Sequence, residues 1–205
     1  MKGTARKLTV AAMLSAVAFV LMFVEFSIPI MPSFIKLDVS DLPALLGAFS
    51  LGPIYGVVIE LIKNLLHIII KGTSSFGIGE LNNFLLGAVF SFVAGLIYRL
   101  RKTRTGAIVG SIVGALAMGL LSLPINYFLV YPMYIQVYAE YGGWDMIFGM
   151  YQAILPAIAN GPTANGLLNC LLVFNAPFTF CKGLLDVILC LLIYKPLSPI
   201  LHGDR

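Results

Sequence analysis

Charge is what this 205-residue sequence has least of: Lys, Arg, Asp and Glu together make up 11% of it, less than half the share of about 25% usual in soluble domains. Tryptophan occurs once and histidine twice. The three cysteines, Cys170, Cys181 and Cys190, fall in one apolar C-terminal stretch without metal-ligand spacing, which excludes a disulfide framework and reads as buried thiols. No phosphate loop of the form G-x-x-x-x-G-K-[ST] occurs, so the chain does not power itself with a Walker-type ATPase. H-E-x-x-H and G-x-S-x-G are absent too, which removes two common hydrolytic arrangements. The acids lie near the ends of apolar runs or beside a lysine rather than at mid-span, as a proton or sodium relay would need. No second copy of either half is visible, so a stand-alone transporter built from inverted repeats is unsupported.

What the sequence has instead is apolar length. Hydrophobic residues make up 60% of it and the mean hydropathy is +0.97, which excludes disorder and collagen and places the chain among integral membrane proteins. At about 20 residues per transmembrane helix it accommodates five to seven spans as one transmembrane unit over residues 1–205, which leaves little for a soluble domain. The net charge of +4 does not point to nucleic acid. Its basic residues cluster beside apolar runs, at Lys2, Arg6 and Lys7, at Arg99, Arg101, Lys102 and Arg104, and at Lys195 and Arg205, as cytoplasmic loops do under the positive-inside rule. The opening MKGTARK has the charge order of a signal peptide, but the apolar run after it exceeds about 7–15 residues and no cleavage site follows, so it reads as a retained first span.

Apolar runs fall at 8–28, 42–70, 81–98, 106–131 and 166–194, with a shorter patch at 146–159. With the N-terminus and the 99–104 loop both cytoplasmic, an even number of crossings must separate them, yet three runs lie between. Gly52-Pro53 resolves this by splitting the 42–70 run into two helices, since proline removes a donor and clashes with the preceding turn. Two further runs return the chain to the cytoplasm. The expectation is an all-α polytopic membrane protein with six transmembrane helices, both termini cytoplasmic, in the cell membrane; the 146–159 patch is too short to cross and reads as interfacial.

Three connections on the external side offer a binding mouth. These are the proline-bounded 28–43 segment with Lys36, Asp38 and Asp41, the glycine-rich 71–80 turn whose amides stand open to a ligand, and the tyrosine-rich 132–165 stretch with Asn160, Gly161, Pro162, Thr163 and Asn165. Ionisable residues in spans are costly, at about 2.5–3.5 kcal/mol on insertion scales, and six qualify: Glu25, Glu60, Lys63, Glu80, Lys182 and Asp186. Glu60 with Lys63, and Lys182 with Asp186, have the spacing of intrahelical pairs. Asn175, Thr179 and Lys182 follow at intervals of four and three and share a helix face, fit to bind a polar, planar, acceptor-rich edge in an otherwise apolar pocket. Asn126 lies at similar depth. His67 has no acidic or cysteine neighbour in sequence and receives no chemistry. On the first run, Ala12 with Ala16, and Ala11 with Ser15, form a small-residue face suited to a partner helix.

Four stretches carry a resemblance: Ala12 and Ala16 as AxxxA, KLDVSDLPALLGAFSLGPIYGVVIELIKNLLH at 36–67, GTSSFGIGELNNF at 72–84, and PFTFCKG at 177–183. Together they resemble the substrate-binding S components of the energy-coupling factor (ECF) vitamin transporters, and among these the riboflavin-specific type. The resemblance implies a non-catalytic, six-helix protein that captures a vitamin on the external side. It also implies partners, a transmembrane coupling subunit and two cytosolic ATPases, with Ala12 and Ala16 as the coupling face. Carried over by position, it implies that Asn126 and Lys182 hold the isoalloxazine edge, while Gly77, Gly79 and Glu80 lie near the ribityl chain. The family commonly has asparagine where this sequence has Thr179, so either Asn175, one turn away, substitutes, or the ligand preference is altered, toward the phosphorylated flavin FMN for example. No cofactor is expected beyond the transported ligand. The competing reading is an intramembrane enzyme acting on a lipid or isoprenoid with Glu60, Lys63 or Asp186 as acid or base; another vitamin is the third.

Overall fold

A computed structural model describes residues 2–73, 75–156 and 163–202. Asn160, Gly161 and Pro162, along with Ser74 and Arg205, lie outside the described residues, as does the Lys195 side chain. The chain is helical almost throughout. Helix α1 (Lys2–Met22) is followed by two short antiparallel strands, β1 (Phe26–Ser27) and β2 (Lys36–Leu37), in register Phe26 with Leu37 and Ser27 with Lys36. Helices α2 (Leu42–Ser50), α3 (Pro53–Lys71), α4 (Ile78–Leu100) and α5 (Arg104–Ile125) come next. After them stand α6 (Tyr131–Val137), α7 (Gly143–Ile154), α8 (Ala164–Cys170) and α9 (Ala176–His202).

The break inside the 42–70 run falls at Gly52-Pro53. Gly52 has φ 118°, a conformation that side-chain-bearing residues rarely adopt, and Pro53 occupies the first position of α3, where its missing N–H costs no hydrogen bond. Five stretches are long and apolar enough to cross a membrane: Gly3–Met22, Pro53–Lys71, Ile78–Leu100, Arg104–Val137 and Asn165–Ile193. Helix α2 is not among them. Its 9 residues extend about 14 Å at the α-helical rise, roughly half the hydrocarbon thickness. Residues 146–154 of the short patch belong to α7, whose Tyr151 is fully buried while Asp145, Met146 and Gln152 are exposed.

Two long stretches owe their continuity to π-helical segments. Asn126–Val130 joins α5 to α6, and Leu171–Asn175 joins α8 to α9. Each is followed two residues on by a proline, Pro132 and Pro177. A proline ring clashes with the carbonyl four residues before it, here that of Phe128 or Val173, and the widened turn admits the ring without breaking the helix.

Helix α5 packs between α4 and α9, and α3 between α1 and α4, with α2 against α3 and α4. One apolar cluster, including Leu45, Phe49, Phe90 and Met118, fills the end of the bundle where α2 and α4 finish. A second, including Tyr131, Phe148, Tyr151 and Leu171, gathers α6, α7 and α8 at the other end. Between the two clusters lies a cavity.

Candidate functional site

The cavity has a volume of about 770 Å³, within the range of about 300–1,000 Å³ typical of small-molecule sites. Its apolar wall includes Phe34, Leu86, Met118 and Phe178. Of the residues singled out in the sequence, Gly79, Glu80, Asn126, Asn175, Thr179 and Lys182 all line it. Gly77 does not: with φ 84° it caps the start of α4 behind the rim.

The 71–80 turn is tied by its own hydroxyls, which corrects the expectation of open amides. Thr73 Oγ1 accepts from the Gly77 and Ser75 amides at 2.9 and 3.1 Å, and Ser75 Oγ accepts from the Gly79 amide at 3.1 Å. Glu80 is clamped: Thr73 donates to Oε2 at 3.0 Å, and His67 Nδ1 lies 3.1 Å from Oε1. Sequence reading gave His67 no role because its acidic partner lies on another helix; in the fold it lines the cavity with Glu80.

Asn126 begins the first π segment and Asn175 ends the second, so the widened turns set the register of both carboxamides. Asn126 Nδ2 donates to the Ser122 carbonyl at 2.7 Å, while its Oδ1 is buried without a hydrogen-bond partner among the described residues. Oδ1 of Asn82 and of Asn83 and Nε2 of His67 are in the same position, and all four residues line the cavity. Asn175 is more committed. Its Oδ1 accepts from the Tyr151 hydroxyl at 2.6 Å and its Nδ2 donates to Tyr131 at 2.9 Å, the two tyrosine hydroxyls also bonding each other. A carboxamide has two donors and two acceptor lone pairs, so this triad uses half of its capacity and anchors α7 across the end of the bundle.

Lys182 also departs from expectation. Its ammonium group meets Asp38 Oδ2 and Asp41 Oδ2, both at 3.1 Å, rather than Asp186 on its own helix, whose oxygens have no hydrogen-bond partner among the described residues. The charged wall comes from opposite ends of the chain, 144 residues apart for Asp38 and Lys182. Lys63 does pair with Glu60 as expected, at 2.6 Å, and also with Asp41 at 2.6 Å. Glu60 is accommodated by Gly87, where a Cβ would lie 2.5 Å from its Oε2. Glu60, Lys63 and Asp186, the candidates for an intramembrane acid–base reaction, are fully buried and are not among the residues that line the cavity.

Glu25 lies past the end of α1 rather than inside a span. It binds Lys36 at 2.5 Å and Lys71 at 2.8 Å, and all three line the rim. Partial burial works to raise its carboxyl, but the hydrogen bonds and charges of Lys36 and Lys71 outweigh that and hold it below its ordinary value. Phe34, on the segment between the strands, meets the rings of Tyr131, Tyr134 and Tyr151 at 6.4, 6.1 and 6.2 Å. On α1, Ala11 and Ser15 face the bundle, whereas Ala12 and Ala16 are exposed beside Met13 and Val17.

A family model for the substrate-specific component of ECF transporters matches residues 6–194. Over 193 residues the chain is 33% identical to the riboflavin transporter RibU of Staphylococcus aureus (strain TCH60), covering 94% of this chain and 90% of that protein. Over 201 residues it is 30% identical to the riboflavin transporter FmnP of Bacillus subtilis (strain 168), covering 98% and 96%. A solved S component of a bacterial ECF transporter matches with a TM-score of 0.70 at 31% identity, over 97% of this chain and 98% of that one. With its length matched by the family model and its helices by a solved member, this chain belongs to the family of substrate-specific components of ECF transporters.

Proposed function

We propose that this protein is the riboflavin-binding subunit of an ATP-dependent ECF-type vitamin importer, non-catalytic by itself. The observation that carries the reading is a cavity of flavin scale in which Lys182 and Asn126 stand on neighbouring helices with bonding capacity to spare. An ammonium group has three donors; two go to Asp38 and Asp41, and the third serves a carbonyl of the pyrimidine edge. Asn126 Oδ1 accepts from that edge, and Thr179 stands one turn from Lys182 beside it. The apolar wall buries the ring system, while Asn82, Asn83 and the Glu80–His67 pair face the ribityl hydroxyls. The relatives' names support riboflavin.

The whole chain forms one transmembrane substrate-binding domain in the cell membrane, with six crossings and both termini cytoplasmic. The short α2 completes the sixth crossing together with the 28–41 segment that leads into it. Its partners are a transmembrane coupling subunit, which meets the exposed Ala12 and Ala16 face of α1, and two cytosolic ATPases; nucleic acid is not among them. The test is a titration of the purified protein with riboflavin, followed by quenching of flavin fluorescence. Wild type quenches one to one, and Lys182→Ala with Asn126→Ala weakens binding by about 30-fold or more, since a hydrogen bond to a charged group contributes about 1.5–3 kcal/mol and a neutral one about 0.5–1.5 kcal/mol. Unchanged affinity in the double variant overturns the assignment of the site. FMN in place of riboflavin in the same titration decides between the two flavins.

A further inference from the structure

At the end of the bundle away from the Glu25 and Lys71 rim lies a second cavity, of about 400 Å³, between the start of α1, the end of α2, the turn into α3 and the end of α4. Phe49 and Tyr98, with ring centroids 4.9 Å apart, form an apolar side of it. Its base is tightly packed, since a Cβ on Gly95 would lie 2.9 Å from Ala48 Cβ and 3.0 Å from Pro53 Cα. Three cations line it: Lys7 from α1, Arg99 from the last turn of α4, and Lys102 just beyond. No carboxylate does.

The three cations are also without partners. Lys36, Lys63, Lys71 and Lys182 each meet a carboxylate, whereas among the described residues Lys7, Arg99 and Lys102 have no ion pair and no hydrogen bond. Basic residues at this end follow from the positive-inside rule, but that rule does not require them to be gathered over a cavity. Arg6, Arg101 and Arg104 belong to the same two clusters of sequence and stand outside it.

The cavity continues into an apolar surface. Ile54 lines it and is exposed at its edge. From there Val58, Leu61, Leu65 and Ile69 follow along α3 at intervals of four, three, four and four, all of them exposed, and this spacing keeps them on one face of the helix. The stripe runs for roughly 22 Å at the α-helical rise, longer than the depth of one leaflet, about 15 Å. Leu96 and Leu100 of α4 are exposed beside the same cavity.

We propose that this cavity seats the phosphate headgroup of one anionic phospholipid, whose acyl chains lie along the α3 stripe. Arg99 offers its planar fork to two phosphate oxygens, while Lys7 and Lys102 supply compact charges from either side. A zwitterionic headgroup brings a cation of its own into a space that already holds three, so the site selects for net negative charge. A free phosphate would satisfy the cations and leave the stripe unused. The lipid ties α1 and α4 together across the turn between α2 and α3. The inference is independent of the riboflavin assignment and needs only that the chain lies in a membrane.

The experiment is native mass spectrometry of the full-length protein in detergent, titrated with dioleoylphosphatidylglycerol or with dioleoylphosphatidylcholine. Wild type is compared with a triple variant of the cavity, Lys7→Gln, Arg99→Gln and Lys102→Gln, and with a triple variant that removes equal charge outside it, Arg6→Gln, Arg101→Gln and Arg104→Gln. Wild type and the outside variant retain one phosphatidylglycerol at about tenfold lower lipid concentration than phosphatidylcholine, and the cavity variant loses that preference, on the scale expected for basic side chains at an anionic headgroup. Phosphatidylglycerol also raises the thermal midpoint of wild type and of the outside variant, but not of the cavity variant, because a ligand that binds only the folded state stabilises it. Equal loss of preference in both triple variants means general surface charge and overturns the proposal. Displacement of the lipid by excess inorganic phosphate makes the occupant a free anion and overturns the assignment to lipid. Absence of any preference in wild type overturns it as well and leaves the cavity to an acidic segment of a partner subunit. Should the cavity variant fail to fold, Arg99→Gln against Arg101→Gln makes the same comparison with one charge.

Discussion

Lys182 shows how one side chain acquires a role from its surroundings. In sequence its charged neighbour is Asp186, yet in the fold its ion pairs run to Asp38 and Asp41. Spacing along a helix indicates which pairs are reachable; it does not indicate which carboxylate a distant segment delivers. Glu25 makes the same point at the rim, where its partners come from β2 and from the end of α3. Because its carboxyl is held below the ordinary value of 4.5, its contribution to stability is complete above that value and is lost as pH falls through the lowered one. Protection of residues 26–37 against hydrogen exchange, taken relative to the intrinsic rate at each pH, is therefore expected to fall on acidification below about 4.5. In Glu25→Gln that acid step disappears.

At the scale of the element, the informative features are interruptions. Gly52 and Pro53 end one helix and begin another with no linker to spare, and a Cβ at Gly52 would meet nothing within 4 Å. Gly52→Ala therefore carries a conformational cost without a steric one. We expect about 1–3 kcal/mol of destabilisation, read as a lowered thermal midpoint in detergent, with little change in flavin affinity, since the turn is remote from the cavity. The π segments are interruptions of a milder kind. Pro132 and Pro177 stand in the sequence as signals for them, but a proline in a helical run announces a kink, a break or a widened turn alike. Packing across α5 and α9 selected the third, and with it the inward register of Asn126 and Asn175.

For the whole molecule, the predictions concern orientation and partnership. A cysteine introduced at Lys102 is expected to react with a membrane-impermeant maleimide only after cells are opened, and one at Ser33 in intact cells; the opposite pattern would overturn cytoplasmic termini. The outer face of α1 is apolar and small at Ala12 and Ala16. Ala12→Leu with Ala16→Leu is expected to leave flavin binding by the isolated chain unchanged and to abolish its co-purification with the coupling subunit. Retained co-purification would move the coupling face elsewhere.

Composition, runs of apolar residues and the placement of basic clusters determined the membrane class, the helical architecture and the Gly52-Pro53 break, because the bilayer constrains each segment of chain locally. Asn126, Thr179, Lys182 and Glu80 were legible as candidates because polar groups in apolar helices are few, and all four line the cavity. The partners of those residues were not legible. His67 against Glu80, Asp38 against Lys182, the tyrosines on Asn175, and Asn82 and Asn83 on the cavity wall all depend on which helices become neighbours and how each is rotated. Gly77 and the turn amides looked open in sequence and are engaged in the fold, since hydroxyls a few residues away reach them first. Local chemistry is written residue by residue, whereas a cavity is a relation among six or more segments, and only tertiary packing decides which atoms face it and which are already satisfied.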